Sequence, residues 1–200
     1  GLGKPLHLLA MGDSIIAGVG TGTMEYSLPV QFANALAKSC RVQVHWRVEG
    51  KNGADISQLR QNAGRIEADQ KADVILISIG VNDVTGLSSA QHWSSELQRL
   101  LLELRSKWPL AGVIVLGLPP MSKFPLPPQP LRFTLGLRAA TFDSIAGQLL
   151  ANHANMLHVP TRMNPIHHDF CEDGFHPSAK ACRFWAEELA QMLKNDTLTV

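Results

Sequence analysis

The stretch DVILISIGVND, Asp73 to Asp83, decides the fold. From Asp73 to Ile79 nearly every residue is apolar, so neither face of the segment suits water. A strand of that kind belongs at the centre of a parallel sheet with helices packed on both sides. The run stops at Gly80, and Asn82 and Asp83 follow at once. Polar groups placed just beyond a central strand sit where open α/β sheets bind their ligands.

Working outward, strand and helix signals alternate. Leu6 to Met11 reads as a short buried strand ending at a glycine, and Ser27 to Lys38 as a helix with Pro29 in its first turn. Arg41 to Val48 (RVQVHWRV) mixes β-branched with polar residues, which suits a strand nearer an edge. Asp55 to Gln70 reads as a helix capped by Asp55, with Gln58 closing the box. The next helix starts at Ser88 or Ser89 and runs to Lys107. Its apolar residues Trp93, Leu97, Leu100, Leu101, Leu104 and Trp108 recur at spacings of 3 and 4. Val113 to Leu118 is a further buried strand, Leu131 to His153 a helix, Met156 to Val159 a last strand, and Pro177 to Lys194 a terminal helix with Pro177 at its first position. Five strands alternating with five helices predict a parallel sheet covered on both faces, within one domain spanning residues 1–200.

The composition agrees. Hydrophobic residues at 45% supply a core, and charged residues at 18% are too few for a disordered chain. A formal net charge of +1 leaves no basic field, which argues against nucleic acid as a partner. Runs such as Val113 to Leu116 fall far short of the ~20 apolar residues of a membrane span. Three scattered cysteines, Cys40, Cys171 and Cys182, do not make a disulfide scaffold. A soluble domain is expected, with cytoplasmic and periplasmic or secreted compartments both left open.

The residues just past the strand ends carry the chemistry. Ser14 follows the first strand in Gly12-Asp13-Ser14. Gly53 follows the second, where a missing side chain lets its N–H approach a ligand. Asn82 follows the third, with an amide able to donate to an oxygen gaining charge. Near the C-terminus, Asp173 stands three residues before His176, close enough for the carboxylate to hold the imidazole Nδ1–H. Taken singly, each has a plainer reading: a helix cap, a tight turn, a turn asparagine and a surface pair.

Together, Gly12-Asp13-Ser14, Gly53, Gly80-Val81-Asn82-Asp83 and Asp173-Gly174-Phe175-His176 resemble, in order and across nearly the whole chain, the blocks of the SGNH hydrolases, also called the GDSL family of esterases and lipases. The resemblance implies a flavodoxin-like three-layer α/β/α sandwich with a central five-stranded parallel sheet in the order 2-1-3-4-5. It implies Ser14 as nucleophile, His176 as general base and then acid, and Asp173 as its orienting partner. It also implies an oxyanion hole made of the Ser14 N–H, the Gly53 N–H and the Asn82 amide. The expected reaction is hydrolysis of a small-molecule carboxylic ester through an acyl-enzyme, with no metal or organic cofactor. Short to medium acyl esters are favoured, and carbohydrate deacetylation is the rival within the family. Asp13 and Asp83 are expected to be structural, joining the two loops.

Other patterns compete. Ser14 is not in a G-x-S-x-G elbow, because Ile16 stands at the second glycine, and Gly86-Leu87-Ser88-Ser89-Ala90 reads better as a helix cap. His167, His168, Asp169, Cys171, Asp173, His176 and Cys182 are possible metal ligands, but their spacing fits no standard zinc pattern. Gly18-Val19-Gly20-Thr21-Gly22 suggests a nucleotide- or phosphate-binding module, a different class of function, though neither a G-x-G-x-x-G nor a P-loop spacing is present. Residues 119–130 hold six prolines. They could serve as a ligand for proline-recognising domains. The position after the fourth strand points instead to a semi-rigid wall of the acyl pocket, with Met121, Phe124 and Leu126 as its apolar contacts.

Overall fold

The computed structural model describes residues 3–161 and 169–195. Its five strands are β1 (Leu6–Gly12), β2 (Val44–Gly50), β3 (Val74–Ser78), β4 (Gly112–Leu116) and β5 (Met156–Val159). All neighbours pair in parallel, in the order β2-β1-β3-β4-β5. The expected flavodoxin-like topology is therefore present. Every residue of β3 is buried, as its unbroken apolar run demands. β2 lies at the edge and is nowhere fully buried, which explains its polar positions.

Among the described residues there are six α-helices: α1 (Leu28–Cys40), α2 (Ile56–Arg65), α3 (Val81–Thr85), α4 (Ala90–Lys107), α5 (Leu131–Leu150) and α6 (Ala179–Asn195). α1 packs on α6, while α2 packs on α4 and α4 on α5. The stripe on α4 is buried at every position named from its periodicity, from Trp93 to Trp108. Trp93 stacks on Phe142 of α5 with ring centroids 5.3 Å apart. Its indole N–H also donates to the Phe142 carbonyl at 3.1 Å, so the largest buried side chain has no unpaired polar group. No helix among the described residues is long and apolar enough to cross a membrane.

Several boundaries differ from expectation. β2 begins at Val44 because Arg41, at φ 55°, ends α1 in a left-handed turn. α2 stops at Arg65, where Ile66 turns extended, although Asp55 caps it through the Gln58 N–H as its spacing implied. α4 is capped by Ser89, which accepts from the His92 N–H. α6 starts at Ala179 because Pro177 instead forms a β-bridge with Phe170. α3 was not foreseen. Five residues are too few for a periodic signal, and it forms because Gly80, at φ 117°, turns the chain straight out of β3.

The register places Gly12, Gly50 and Ser78 side by side at the carboxyl ends of three strands. There the backbones crowd: a Cβ on Gly12 would lie 1.9 Å from the Ser78 carbonyl oxygen, and Gly12 holds φ 152°. Gly12→Ala should therefore destabilise the protein by about 3 kcal/mol or more, measured by urea unfolding. A loss below about 1 kcal/mol would show that β1 and β3 separate easily.

Candidate active site

The loop after β1 is organised by Asp13. Its carboxylate accepts from the Ile15 N–H at 3.1 Å, and the Ser78 hydroxyl lies at 3.5 Å. The chain then closes a turn through Ala17 N–H to Asp13 O and Val19 N–H to Ser14 O. Ser14 is thereby presented at the strand end, 8% exposed. Asp83, on α3, accepts from the Ile56 N–H at 3.0 Å and from the Ser88 hydroxyl at 3.4 Å. It ties the loop after β3 to the start of α2. Burial pushes the Asp13 carboxyl up to about 7 and that of Asp83 up to about 6, only partly offset by these hydrogen bonds.

Asn82 is fixed by the same arrangement. Its side-chain N–H donates to the Ala54 carbonyl at 2.9 Å, which leaves the second amide hydrogen available. Gly80 lies against Trp93, whose ring would be 2.8 Å from an added Cβ. Gly53 sits exposed at φ 78° with open space where a side chain would be. Among the described residues, the backbone N–H groups of Ser14 and Gly53 have no hydrogen-bond partner. Free donors thus follow β1 and β2, and a tethered amide follows β3; groups of this kind hold an oxygen that gains negative charge.

The segment before α6 supplies the imidazole. Asp173 Oδ1 accepts from the N–H groups of Phe175 and His176 at 2.8 and 2.9 Å, and from Cys171 Sγ at 2.9 Å. Asp173 Oδ2 lies 2.6 Å from His176 Nδ1. Partial burial would raise the Asp173 carboxyl, but the thiol, the imidazole and the two backbone donors outweigh it and hold the group well below the usual carboxylate range. An ionised Asp173 can only accept, so the shared proton sits on Nδ1. Nε2 is left with a lone pair and can take a proton. Among the described residues no hydrogen bond joins His176 to the Ser14 hydroxyl. Such contacts often tighten only when substrate binds.

Ser14 and His176 line one cleft, together with Ile15, Val81, Pro119, Phe124, Phe175 and Pro177. The proline-rich excursion thus reaches the cleft through Pro119 and Phe124. Met121 and Leu126 fall elsewhere: Met121 is wholly buried in a short turn, and Leu126 is 63% exposed outside the cleft. Phe124 is held in place edge-on by Phe170 and Phe175, each with centroids 5.2 Å away. Composition pointed to an apolar wall, but which side chain turns inward depends on packing against α5. The lining residues that motif reading missed, Ile15, Val81, Phe175 and Pro177, are chain neighbours of the motif residues, and adjacency was their only signal.

The glycine-rich loop has a packing reason. Gly18, Gly20 and Gly22 all have positive φ, and Thr21 is buried with its hydroxyl donating to the Gly18 and Thr23 carbonyls. A Cβ on Gly20 would lie 2.9 Å from Cys171 Sγ and 3.0 Å from His176 Cβ. The loop needs glycine to pack on the imidazole segment, so no phosphate is required to explain it. Of the suspected metal ligands, His167 and His168 lie outside the described residues, and Cys182 is buried on α6. Cys171, Asp173 and His176 do converge, with ligand atoms within 4.8 Å of one another.

The raised Asp13 carboxyl gives stability a pH dependence. It ionises more readily unfolded than folded, so stability falls as pH rises from the ordinary carboxylate range through about 7. Asp13→Asn, uncharged throughout, should reduce that slope in urea titrations between pH 4.5 and 8, leaving the part that comes from Asp83. An unchanged slope would mean that Asp13 is ionised in the fold.

Comparison with known proteins completes the picture. The model of the GDSL-like Lipase/Acylhydrolase family matches residues 10–184. No curated protein matches the sequence. Among solved structures, the chain is similar to the lipase Lip_vut3 from a goat rumen metagenome (TM-score 0.74, 19% identity, 93% of this chain and 96% of that one). It is also similar to the psychrotrophic esterase EstA from Pseudoalteromonas sp. (0.73, 16%, 94% and 97%) and to the W215I form of Axe2, an acetyl xylan esterase from Geobacillus stearothermophilus (0.69, 20%, 100% and 98%). With the family model running from β1 into α6, the chain belongs to the GDSL-like lipase/acylhydrolase family and is a carboxylic ester hydrolase.

Proposed function

We propose that this hydrolase cleaves esters of short acyl chains in two steps through Ser14. The observation that carries this reading is the shared cleft of Ser14 and His176, with Asp173 2.6 Å behind the imidazole. Ser14 Oγ attacks the ester carbonyl while His176 Nε2 takes its proton. The oxyanion of the tetrahedral intermediate accepts from the Ser14 N–H, the Gly53 N–H and the Asn82 amide. His176 then returns the proton to the departing alcohol. Water, activated by the same imidazole, releases the acid from the acyl-enzyme. Asp173 stays ionised throughout and stabilises the imidazolium.

The lining of the cleft supports a small acyl group. Phe124, Phe175 and Pro119 crowd the space beside Ser14 and His176. An acetyl group fits that space better than a fatty chain. The same observation favours a second reading, removal of acetyl groups from carbohydrates, and similarity to an acetyl xylan esterase supports it.

Ser14→Ala should lower kcat for p-nitrophenyl acetate by ~10⁴-fold or more, and Asn82→Ala by ~10²-fold with KM little changed. A Ser14→Ala variant within about tenfold of the parent would sink the acyl-enzyme. A panel of p-nitrophenyl esters from acetate to dodecanoate, run beside acetylated xylan, separates the substrates. Rates should peak at the short end, and faster turnover of the xylan acetyl would select the second reading.

A further inference from the structure

Cys171 is the residue of the imidazole segment that ester hydrolysis leaves without a task. Its thiol points at Asp173 Oδ1 from 2.9 Å, while His176 Nδ1 lies 2.6 Å from Oδ2 of the same carboxylate. Sulfur, oxygen and nitrogen thus converge on one spot, all within 4.8 Å of one another. Ligands on a tetrahedral zinc ion, with bonds of about 2.0–2.3 Å, stand about 3.3–3.6 Å apart. Shifts of well under a side-chain length would bring these three atoms to that spacing. The site is also reachable: the Asp173 side chain is 45% exposed, and Cys171 is partly exposed.

We propose that Cys171 Sγ, Asp173 and His176 Nδ1 form a binding site for zinc or a similar thiophilic divalent cation, and that occupation switches the hydrolase off. Binding replaces two hydrogen bonds with coordinate bonds. The thiol proton goes to solvent as the thiolate takes the metal. The Nδ1 lone pair also takes the metal, so the single proton of the neutral imidazole moves to Nε2. A protonated Nε2 cannot accept the Ser14 proton. Water fills the fourth position of the ion. The same carboxylate therefore serves two exclusive partners, an N–H in the active enzyme and a metal in the inhibited one. Loss of activity rests on the reading of Ser14 and His176 given above, whereas binding does not.

The test separates the two. Cys40 is the other exposed thiol, so Cys40→Ser is the parent background, and Cys182 is buried. Cys171→Ser keeps a hydroxyl donor for Asp173 and removes the soft ligand. Titration with cadmium should produce the ultraviolet charge-transfer band of a metal thiolate in the parent and none in Cys171→Ser. Zinc should inhibit p-nitrophenyl acetate hydrolysis reversibly, with recovery on chelation. The half-inhibiting concentration should rise at least ~10-fold in Cys171→Ser, each protein normalised to its own metal-free rate. No cadmium band in the parent, or equal zinc sensitivity in both proteins, overturns the proposal. If the parent shows no esterase activity, the reading of Ser14 fails, and the cadmium band still decides the metal site.

Discussion

β1 and β3 come so close at their carboxyl ends that no side chain fits between Gly12 and the Ser78 carbonyl. That closeness places the Ser14 loop, the Gly80 turn and the Gly53 turn on one edge of the sheet. Parallel pairing in matched register puts Gly12 level with both Gly50 and Ser78, so each chain leaves its strand at the same height. Three loops from distant parts of the sequence then share one small space. Gly80 repeats the device one strand along, where Trp93 occupies the volume a side chain would need. The hydrophobic core and the site are thus built by the same contacts.

Carboxyl groups mark the division between scaffold and chemistry. Asp13 and Asp83 lie buried among apolar strands, and desolvation pushes both up towards neutrality. Both still order the loops by accepting from the Ile15 and Ile56 N–H groups. Asp173 is nearer water, and four donors converge on it, so its charge is held. One residue type fills two roles because burial wins in the first environment and hydrogen bonding in the second. The carboxylate whose charge is most favoured is the one beside the imidazole.

The proline-rich excursion shows how far composition reaches. Six prolines predict a stiff, irregular path, and the path does skirt the cleft. Side-chain direction is another matter. Phe124 is captured between Phe170 and Phe175, Met121 is drawn into the core beside α5, and Leu126 turns outward. Nothing local distinguishes the three. Cys171 is a similar case: the chain shows a cysteine near Asp173, and only the turn that brings Phe175 and His176 N–H groups onto the carboxylate aims the thiol at the same oxygen.

The sequence by itself determined the alternating layers, because an apolar run with no polar face has to be covered on both sides, and the α4 stripe has to be buried. It also marked the candidate site, since Ser14 and Asn82 follow strands closely and Asp173 stands three residues before His176. Only the tertiary structure decided where β2 and α6 begin and that α3 exists, because the left-handed Arg41, the bridge of Pro177 to Phe170 and the turn at Gly80 leave no periodic signal in the chain. It alone decided the size of the cleft and the side chains that line it. Those depend on which of several equally apolar residues finds space in a packed interior, and no local pattern encodes that.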